Sequence, residues 1–192
     1  YLVDNVNAWE LNSDGTFDSS FDGDGKLTFG FGSPQAGAED MAVGPDGKIV
    51  LVGYSYNGVS YDMAVARLNP SGTLDTSLDG DGRAIVDFGG GFELATAVAV
   101  QPGLEIVIAG YGGSSSDYRV ARLTNSGQLD TSFDGDGKLT VNFNSGIPQD
   151  VALQGSQIVI AGYGSFGNGG DFTVMRLNSD GSLDTTFDGD GK

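Results

Sequence analysis

The chain reads FDGDGK at Phe21–Lys26, and this short string returns three more times along its 192 residues. It appears as LDGDGR at Leu78–Arg83 and as FDGDGK at Phe133–Lys138 and Phe187–Lys192. The second aspartate of the string lies at positions 24, 81, 136 and 190, so the steps are 57, 55 and 54 residues. A period this regular predicts one structural unit repeated in tandem.

Each full repeat holds four short apolar runs, which in the first repeat are 40–44, 48–53, 62–68 and 83–88. Val, Ile, Phe and Tyr dominate these runs, and helix-period runs of about ten residues or more are absent from them. Four short antiparallel strands in a unit of about 55 residues are typical of a β-propeller blade. We therefore predict an all-β chain of β-propeller blades with four antiparallel strands each, comprising about three repeats of 54–57 residues plus a partial N-terminal blade.

The order of the strands within a blade follows by analogy with other propellers. The run at 40–44 is expected to be innermost, the run at 48–53 second, the run at 62–68 third and the run at 83–88 outermost. The run Ile-Val-Ile-Ala-Gly, at 106–110 and again at 158–162, has no polar alternation. We expect it to be buried on both faces.

The repeats divide residues 1–192 into a single repeat domain with a partial blade at each end. The predicted boundaries are a partial blade at 1–38, blades at 39–92 and 93–146, and a partial blade at 147–192. A closed propeller typically has about four to eight blades, and three alone would expose a large apolar face. We expect the domain to be part of a longer array or of an oligomeric ring, in which two copies would supply about six blades.

The composition limits the function. The net charge is −17 and the sequence contains neither Cys nor His. Such acidity disfavours nucleic acid and anionic membrane surfaces as partners, since these bind clustered Lys and Arg. Disulfides, thiolate or imidazole metal sites, cysteine nucleophiles and Ser-His-Asp triads are excluded. No apolar run approaches the roughly 20 residues of a membrane helix, so we expect no membrane insertion. The absence of Cys, together with the high acidity and the abundance of Gly, Ser, Asn and Thr, leads us to expect an extracellular or cell-surface location.

The segment that precedes each acidic string carries a family resemblance. It reads LNPSGTLDTS at 68–77, LTNSGQLDTSF at 123–133 and LNSDGSLDTTF at 177–187. In these residues the chain resembles the bacterial delta-60 repeat, a propeller-like repeat of secreted and surface proteins. The resemblance implies a fold but no particular chemistry. Where such repeats usually read F-G-x-x-G, this chain reads FDGDG, which adds two carboxylates to each loop.

The repeated loops concentrate the acidity of the chain, because each loop carries three aspartates within seven residues. Ca²⁺ takes about six to eight hard oxygen ligands, so we interpret these loops as candidate Ca²⁺ sites and Ca²⁺ as a possible cofactor. An EF-hand is excluded, because the twelfth position counted from Asp22 is Ser33 and not Glu. The candidate metal ligands are Asp18, Asp22, Asp24, Asp75, Asp79, Asp81, Asp130, Asp134, Asp136, Asp184, Asp188 and Asp190.

A second interpretation assigns these aspartates to turn chemistry alone. Asp-Gly is a favoured dipeptide of tight turns, because Gly supplies φ > 0 and Asp bonds its own backbone. The first aspartate of each loop could cap that turn or pair with the arginine that recurs at Arg67, Arg122 and Arg176. The residues alone leave both interpretations open.

Two further sets of residues bear on ligands and catalysis. Tyr54, Tyr111 and Tyr163 recur at the end of the second strand, where they could stack on sugars or pack between blades. A catalytic site is normally built once, from residues that break the repeat symmetry. The carboxylates that do so form no recognisable motif; they are Glu39, Asp87, Glu93 and Glu105.

The expected function is a non-catalytic extracellular structural or interaction module, such as a surface, matrix or filament scaffold. Its expected partner is protein: another copy, or further repeats of the same protein. The alternative is a carbohydrate-binding propeller lectin that uses the three tyrosines. A third hypothesis is a glycan-cleaving propeller enzyme, which would need two carboxylates.

Overall fold

The computed structural model describes residues 5–33, 35–89, 91–113, 117–143, 145–165 and 170–192. In these residues the chain forms β-strands joined by turns and loops. The strands are β1 (Val6–Trp9), β2 (Lys26–Phe29), β3 (Ala36–Val43), β4 (Ile49–Tyr56), β5 (Tyr61–Leu68), β6 (Arg83–Val86), β7 (Glu93–Val100), β8 (Ile106–Gly112), β9 (Asp117–Leu123), β10 (Lys138–Val141), β11 (Ile147–Gln154), β12 (Gln157–Ser165) and β13 (Gly170–Leu177).

The strands form antiparallel sheets in which neighbours along the chain also pair in space. Two sheets are complete, β3-β4-β5-β6 and β7-β8-β9-β10. A two-stranded sheet, β1-β2, precedes them, and a three-stranded sheet, β11-β12-β13, follows. This confirms the predicted all-β fold of four-stranded blades. In the first repeat all four predicted runs coincide with strands, although β3 begins four residues earlier than its run.

The first strand of each sheet lies beside the first strand of the next. β3 contacts β7, and β7 contacts β11. These strands therefore form the side on which the blades converge, as expected for the innermost strands of a propeller.

The hydrophobic core lies between the sheets. Val52 and Met63 of the first complete blade pack with Val98 and Ile108 of the second in one cluster. A second cluster joins the second complete blade to β11-β12-β13. Each sheet therefore hides its apolar faces against the next one, which is why a single blade could not form a core by itself.

The two copies of the Ile-Val-Ile-Ala-Gly run differ in burial. Residues 106–110 are buried throughout, as predicted. In the second copy Val159 and Ala161 remain partly exposed. The difference has a simple cause: the second complete blade has a sheet on both sides, whereas β11-β12-β13 has one on a single side within the described residues.

Candidate functional site

In the second, third and fourth loops, the first aspartate forms an ion pair with the repeated arginine. Three equivalent pairs join the Nε atom of the arginine to the Oδ2 atom of the aspartate. The distances are 2.6 Å for Arg67–Asp75, 2.7 Å for Arg122–Asp130 and 2.8 Å for Arg176–Asp184. The N-terminal copy has Glu10 in place of the arginine, and its Asp18 accepts hydrogen bonds from the backbone N–H and hydroxyl of Ser20.

Asp75 is the most strongly held of these carboxylates. Its Oδ1 atom accepts the Ser77 hydroxyl at 2.7 Å, and its Oδ2 atom also lies 2.9 Å from Lys48 Nζ. Burial by itself raises the pKa of Asp75, but the hydrogen bonds from Lys48, Ser77 and Arg67 outweigh burial and hold the pKa well below its usual range. The carboxylate is therefore charged at neutral pH, with both oxygens occupied.

The second aspartate of each loop has a left-handed backbone, with φ between 48° and 51°. In three of the four loops its N–H donates across to the next blade. Asp22 donates to the Ser71 carbonyl at 2.7 Å and Asp79 to the Ser126 carbonyl at 2.8 Å. Asp134 donates in the same way to the Asp180 carbonyl at 2.7 Å. The backbone of this aspartate thus connects neighbouring blades.

In the same three loops, the residue before the second aspartate is fully buried; it is Phe21, Leu78 or Phe133. Each of these side chains packs on a glycine of the next blade's turn. A Cβ on Gly72 would lie 2.8 Å from Asp22 N, so only glycine fits there. We call this arrangement of a DGDG loop on the following turn a blade joint.

The third aspartate closes a turn within its own loop. Its Oδ1 atom accepts the N–H of the residue two positions on, at 3.0 Å for Asp24, 2.9 Å for Asp81, 2.8 Å for Asp136 and 2.9 Å for Asp190. Among the described residues, the twelve loop aspartates bring no three carboxylate oxygens within 4.8 Å of one another. The hydrogen bonds of these aspartates agree with the turn interpretation, whereas Ca²⁺ binding stays a prediction.

A different group of three carboxylates does converge. One oxygen each from Asp62, Asp87 and Glu93 lies within 4.8 Å of the others, with Asp62 and Glu93 buried and Asp87 exposed. Asn57 donates to Asp62 at 2.7 Å. Broken repeat symmetry marked Asp87 and Glu93 in the sequence. Asp62 does not break the repeat symmetry, because an aspartate recurs at the equivalent positions 117 and 171, so the sequence did not single it out.

The inner strands carry a second polar feature, produced by β-bulges. The pairing register of β3, β7 and β11 shifts at Glu39, Thr96 and Gln149 respectively. A bulge adds an unpaired residue and re-aims its side chain. It also explains why β3 starts earlier than predicted, since the extra residue breaks the period-2 pattern.

These bulge residues line one cavity of about 500 Å³, which we call the inner-strand cavity. Tyr111 and Tyr163 both line it. Burial raises the pKa of Tyr111, and the nearby Tyr163 and Glu39 raise it further. The remaining lining residues mix carboxylate, amide and apolar groups; they are Asp40, Leu94, Thr96, Ile147, Gln149 and Asp150.

The structure therefore brings together two of the three predicted tyrosines. Tyr54 is not among the lining residues of the inner-strand cavity. Its ring instead packs edge-on against Tyr61, with 5.6 Å between centroids, and a Cβ on Gly37 would lie 2.8 Å from it. Repetition in the sequence pointed to the tyrosines, but the bulge residues that face them left no periodic signal.

Comparison with known families agrees with this architecture. A family model described as "Domain of unknown function (DUF5122) beta-propeller" matches residues 44–78, 105–133 and 157–187. Each matched stretch covers the second and third strands and runs toward the acidic loop. The match shows a repeat of β-propeller type, whereas the delta-60 assignment stays a prediction. No curated protein matches the chain.

The described residues contain no helix that is long and apolar enough to cross a membrane.

Proposed function

We propose that the chain is a non-catalytic extracellular module that works as a structural or interaction element of a cell surface, matrix or filament. The observation that supports this is the blade joint. Residues that recur along the chain, namely the arginine, the buried Phe or Leu and the turn glycine, hold one blade to the next. Repeated chemistry of this kind makes a rigid surface, not a single reaction centre.

Protease access on intact cells that produce the full-length protein tests the location. Trypsin added to unbroken cells should cleave the protein while a cytosolic marker stays whole. Protection until the cells are lysed would contradict an extracellular role. A panel of polysaccharides tests the non-catalytic role, because turnover that is lost in Glu93→Gln or Glu105→Gln would replace it with glycan cleavage.

We further propose that Ca²⁺ stabilises the module through the acidic loops. In the second, third and fourth loops the first aspartate is already bonded to arginine and to serine or threonine, so the second and third aspartates are the remaining candidate ligands. Asp134 and Asp136 are exposed and form no ion pair among the described residues, and the net charge of −17 favours a cation at such positions. The carbonyl oxygen of Gly135, which lies between them, would add a hard ligand of the kind that Ca²⁺ prefers.

Calorimetric titration of Ca²⁺ into EDTA-treated protein tests this assignment. We expect saturable heat and a rise in melting temperature that Mg²⁺ at the same concentration does not match, since Mg²⁺ demands a stricter geometry. The double variant Asp134→Asn, Asp136→Asn should bind fewer ions, and Asp46→Asn serves as a control outside the loops. Absence of heat at millimolar Ca²⁺ would remove calcium from the proposal.

The inner-strand cavity favours one alternative function, carbohydrate binding. Sugar rings stack on aromatic faces, and their hydroxyls bond to carboxylates and amides. The cavity offers Tyr111 and Tyr163 together with Glu39, Asp150 and Gln149. A glycan array is the direct test. Binding that Tyr111→Ala abolishes and Tyr54→Ala preserves would establish a lectin, because Tyr54 lies outside the cavity, whereas a flat array would remove this alternative.

A further inference from the structure

The inner-strand cavity is held in shape by contacts between consecutive blades. The Asp40 Oδ2 atom of β3 accepts the Val98 N–H of β7 at 2.9 Å. The Thr96 hydroxyl of β7 donates to the Pro148 carbonyl of β11 at 2.6 Å. The three inner strands are therefore tied to one another around β7, which contacts an inner strand on each side. The cavity is preformed by these internal contacts and does not depend on either end of the chain.

The charged groups that line the cavity are all negative. Glu39, Asp40 and Asp150 line it, and no Lys or Arg is found among its described lining residues. These three carboxylates form no ion pair within the described part of the chain. Burial raises the pKa of Tyr111, and Tyr163 and Glu39 raise it further, as expected in a negative field. Carboxylates in one cavity repel one another, so a bound cation would relieve that cost.

The spacing of these carboxylates favours an organic cation over a metal ion. Among the described residues, Glu39, Asp40 and Asp150 do not bring three carboxylate oxygens within 4.8 Å of one another. The cavity volume of about 500 Å³ is that of a small-molecule site, for which roughly 300–1,000 Å³ is usual. Separated carboxylates in a cavity of this size match a cation whose charges are joined by a carbon chain.

The aromatic residues of the cavity supply the surface that such a carbon chain needs. Tyr111 and Tyr163 both line the cavity. The Phe92 ring packs against the Tyr111 ring with 5.8 Å between centroids, which fixes the orientation of that tyrosine. An aromatic face attracts an ammonium group and also packs against methylene groups. The lining therefore offers both contacts that an alkylammonium ion makes.

The residues at the three β-bulges differ from blade to blade, unlike the residues that hold the repeat together. The register shifts occur at Glu39, Thr96 and Gln149, which place three chemical types at one position of the repeat. A residue needed by every blade would recur, as the loop-binding arginine does. The cavity is therefore built once in these 192 residues, as expected for a ligand site.

We propose that the inner-strand cavity binds an organic cation with alkylammonium groups, supplied either by a free polyamine or by lysine side chains of a peptide. The ammonium groups pair with Glu39 and Asp150, and the methylene chain lies against Tyr111 and Tyr163. This inference goes beyond the proposed structural role and does not depend on location or Ca²⁺. It uses the same cavity as the lectin alternative, but the ligand is recognised by its charge.

Calorimetric titration with two probes tests the assignment. The probes are spermidine and a short peptide that carries two lysines. Ionic strength of about 0.15 M screens the exposed charges of the protein, and Ca²⁺ in the buffer competes for the acidic loops. We expect saturable heat with one ligand per chain. Absence of heat at millimolar concentrations of both probes, or uptake of several ligands per chain without a saturable site, would overturn the proposal.

A pair of double variants separates the cavity from the overall charge. Glu39→Gln with Asp150→Asn removes two charges from the cavity and should weaken binding by at least about tenfold. Asp134→Asn with Asp136→Asn removes the same charge from an acidic loop and should change affinity by less than about twofold. Equal weakening by the two double variants would show attraction to net charge alone, which contradicts a built site.

Substitutions of tyrosine test the aromatic contact. Tyr111→Ala should weaken binding by about threefold or more, whereas Tyr111→Phe keeps the ring and should bind as the unmodified chain does. Tyr54→Ala removes an equivalent tyrosine that lies outside the cavity, so its affinity should be unchanged. Circular dichroism shows whether each variant is folded. A folded Tyr111→Ala chain that binds both probes normally would overturn the placement of the ligand.

The two probes also identify the source of the ammonium groups. Tighter binding of spermidine indicates a free polyamine, and tighter binding of the peptide indicates lysine side chains. Acetylation of both lysines removes their charge and should abolish binding of the peptide. Retained binding of the acetylated peptide would contradict recognition of a cation.

These outcomes are separate from those that test the proposed function. A protein that binds spermidine as expected but that trypsin cannot reach on intact cells contradicts the location and not the cavity ligand. Neutral glycans that bind in a Tyr111-dependent manner, with no heat from either cation, would establish the lectin and overturn this inference.

Discussion

Asp75 is bonded by groups from three parts of its blade. Arg67 reaches it from β5, Lys48 from the turn before β4, and Ser77 from its own loop. Two of the four residues are almost fully buried, with Arg67 at 3% exposure and Asp75 at 6%. At this depth a carboxylate is retained only where it is paired, and the pair in turn fixes the path of the loop.

Asp75→Asn is expected to lower the free energy of unfolding by about 3 kcal/mol, because it leaves the buried Arg67 without its counter-charge. Urea unfolding measures the loss. The matched control is Asp46→Asn, since Asp46 lies 3.9 Å from the same Lys48 and is more exposed. That change should cost about 0.5 kcal/mol or less. Equal losses in the two variants would mean that the Arg67 pair adds nothing specific.

The same carboxylates set the response to acid. The folded protein holds the pKa values of Asp75, Asp130 and Asp184 below the unfolded value of about 3.9. A lowered pKa contributes stability that is present above the unfolded pKa and is lost as pH falls through the folded one. We expect nearly constant stability between about pH 5 and pH 8, since the chain has no His, and a steep loss below about pH 4.

Urea unfolding at a series of pH values measures this profile. The acid loss should be smaller in Asp75→Asn, which has one fewer carboxylate to protonate. Constant stability from pH 5 down to pH 3 would show that these aspartates are not stabilised by folding.

The blade joint is the element that repeats, and the aromatic residue of the DGDG loop is not equally buried in every copy. Phe133 is fully buried and Phe187 is partly exposed, although both are followed by the same five residues, Asp-Gly-Asp-Gly-Lys. Phe133→Ala is expected to cost about 3–5 kcal/mol as a buried large-to-small change. Phe187→Ala should cost about 1 kcal/mol or less, because less of its area is removed from water.

Thermal and urea unfolding of the two variants give the comparison. Similar losses in both would show that the joint does not bury the ring as described.

The period and the alternating apolar runs were sufficient to predict the blades and their strand order. Residues 83–88 and 62–68, for example, pair as β6 and β5. The cavity was not predictable from those signals, because a bulge at Thr96 adds a residue without any change in composition. The blade joint was also not predictable from the sequence. It depends on a backbone N–H at Asp79 and a carbonyl at Ser126, which no side-chain pattern reports.

The candidate metal ligands show the same limit. Spacing alone placed Asp130, Asp134 and Asp136 in one loop, and they do lie there. Their roles differ because one faces an arginine, one turns its backbone to the next blade and one closes a local turn. Asp62 and Asp87 come together because β5 pairs with β6 at Met63 and Val86, and Glu93, the first residue of β7, completes the group.

Over the whole molecule, each sheet is stabilised mainly by its neighbours, as in other repeat proteins. The complete blade β7–β10 has sheets on both sides, whereas β1-β2 and β11-β12-β13 each have one on a single side within the described residues. The central blade is therefore expected to open last.

Hydrogen exchange followed by mass spectrometry measures this order. Amides of β8 and β9 should exchange slowest, and those of β1, β2 and β13 fastest. Ca²⁺ or self-association should protect the outer sheets more than the centre. Uniform protection from end to end would contradict a stack held together by neighbour contacts.

The blade joint also bears on how such a chain changes length over generations. Its two sides are nearly the same at the three places where they meet within the described residues, so we expect each DGDG loop to fit each of the turns. Unequal crossing-over between two of the coding segments would delete or add one blade, and the loop and turn brought together would still match. We therefore expect gain or loss of a whole blade to be tolerated, whereas gain or loss of part of a blade would leave a joint without its partner.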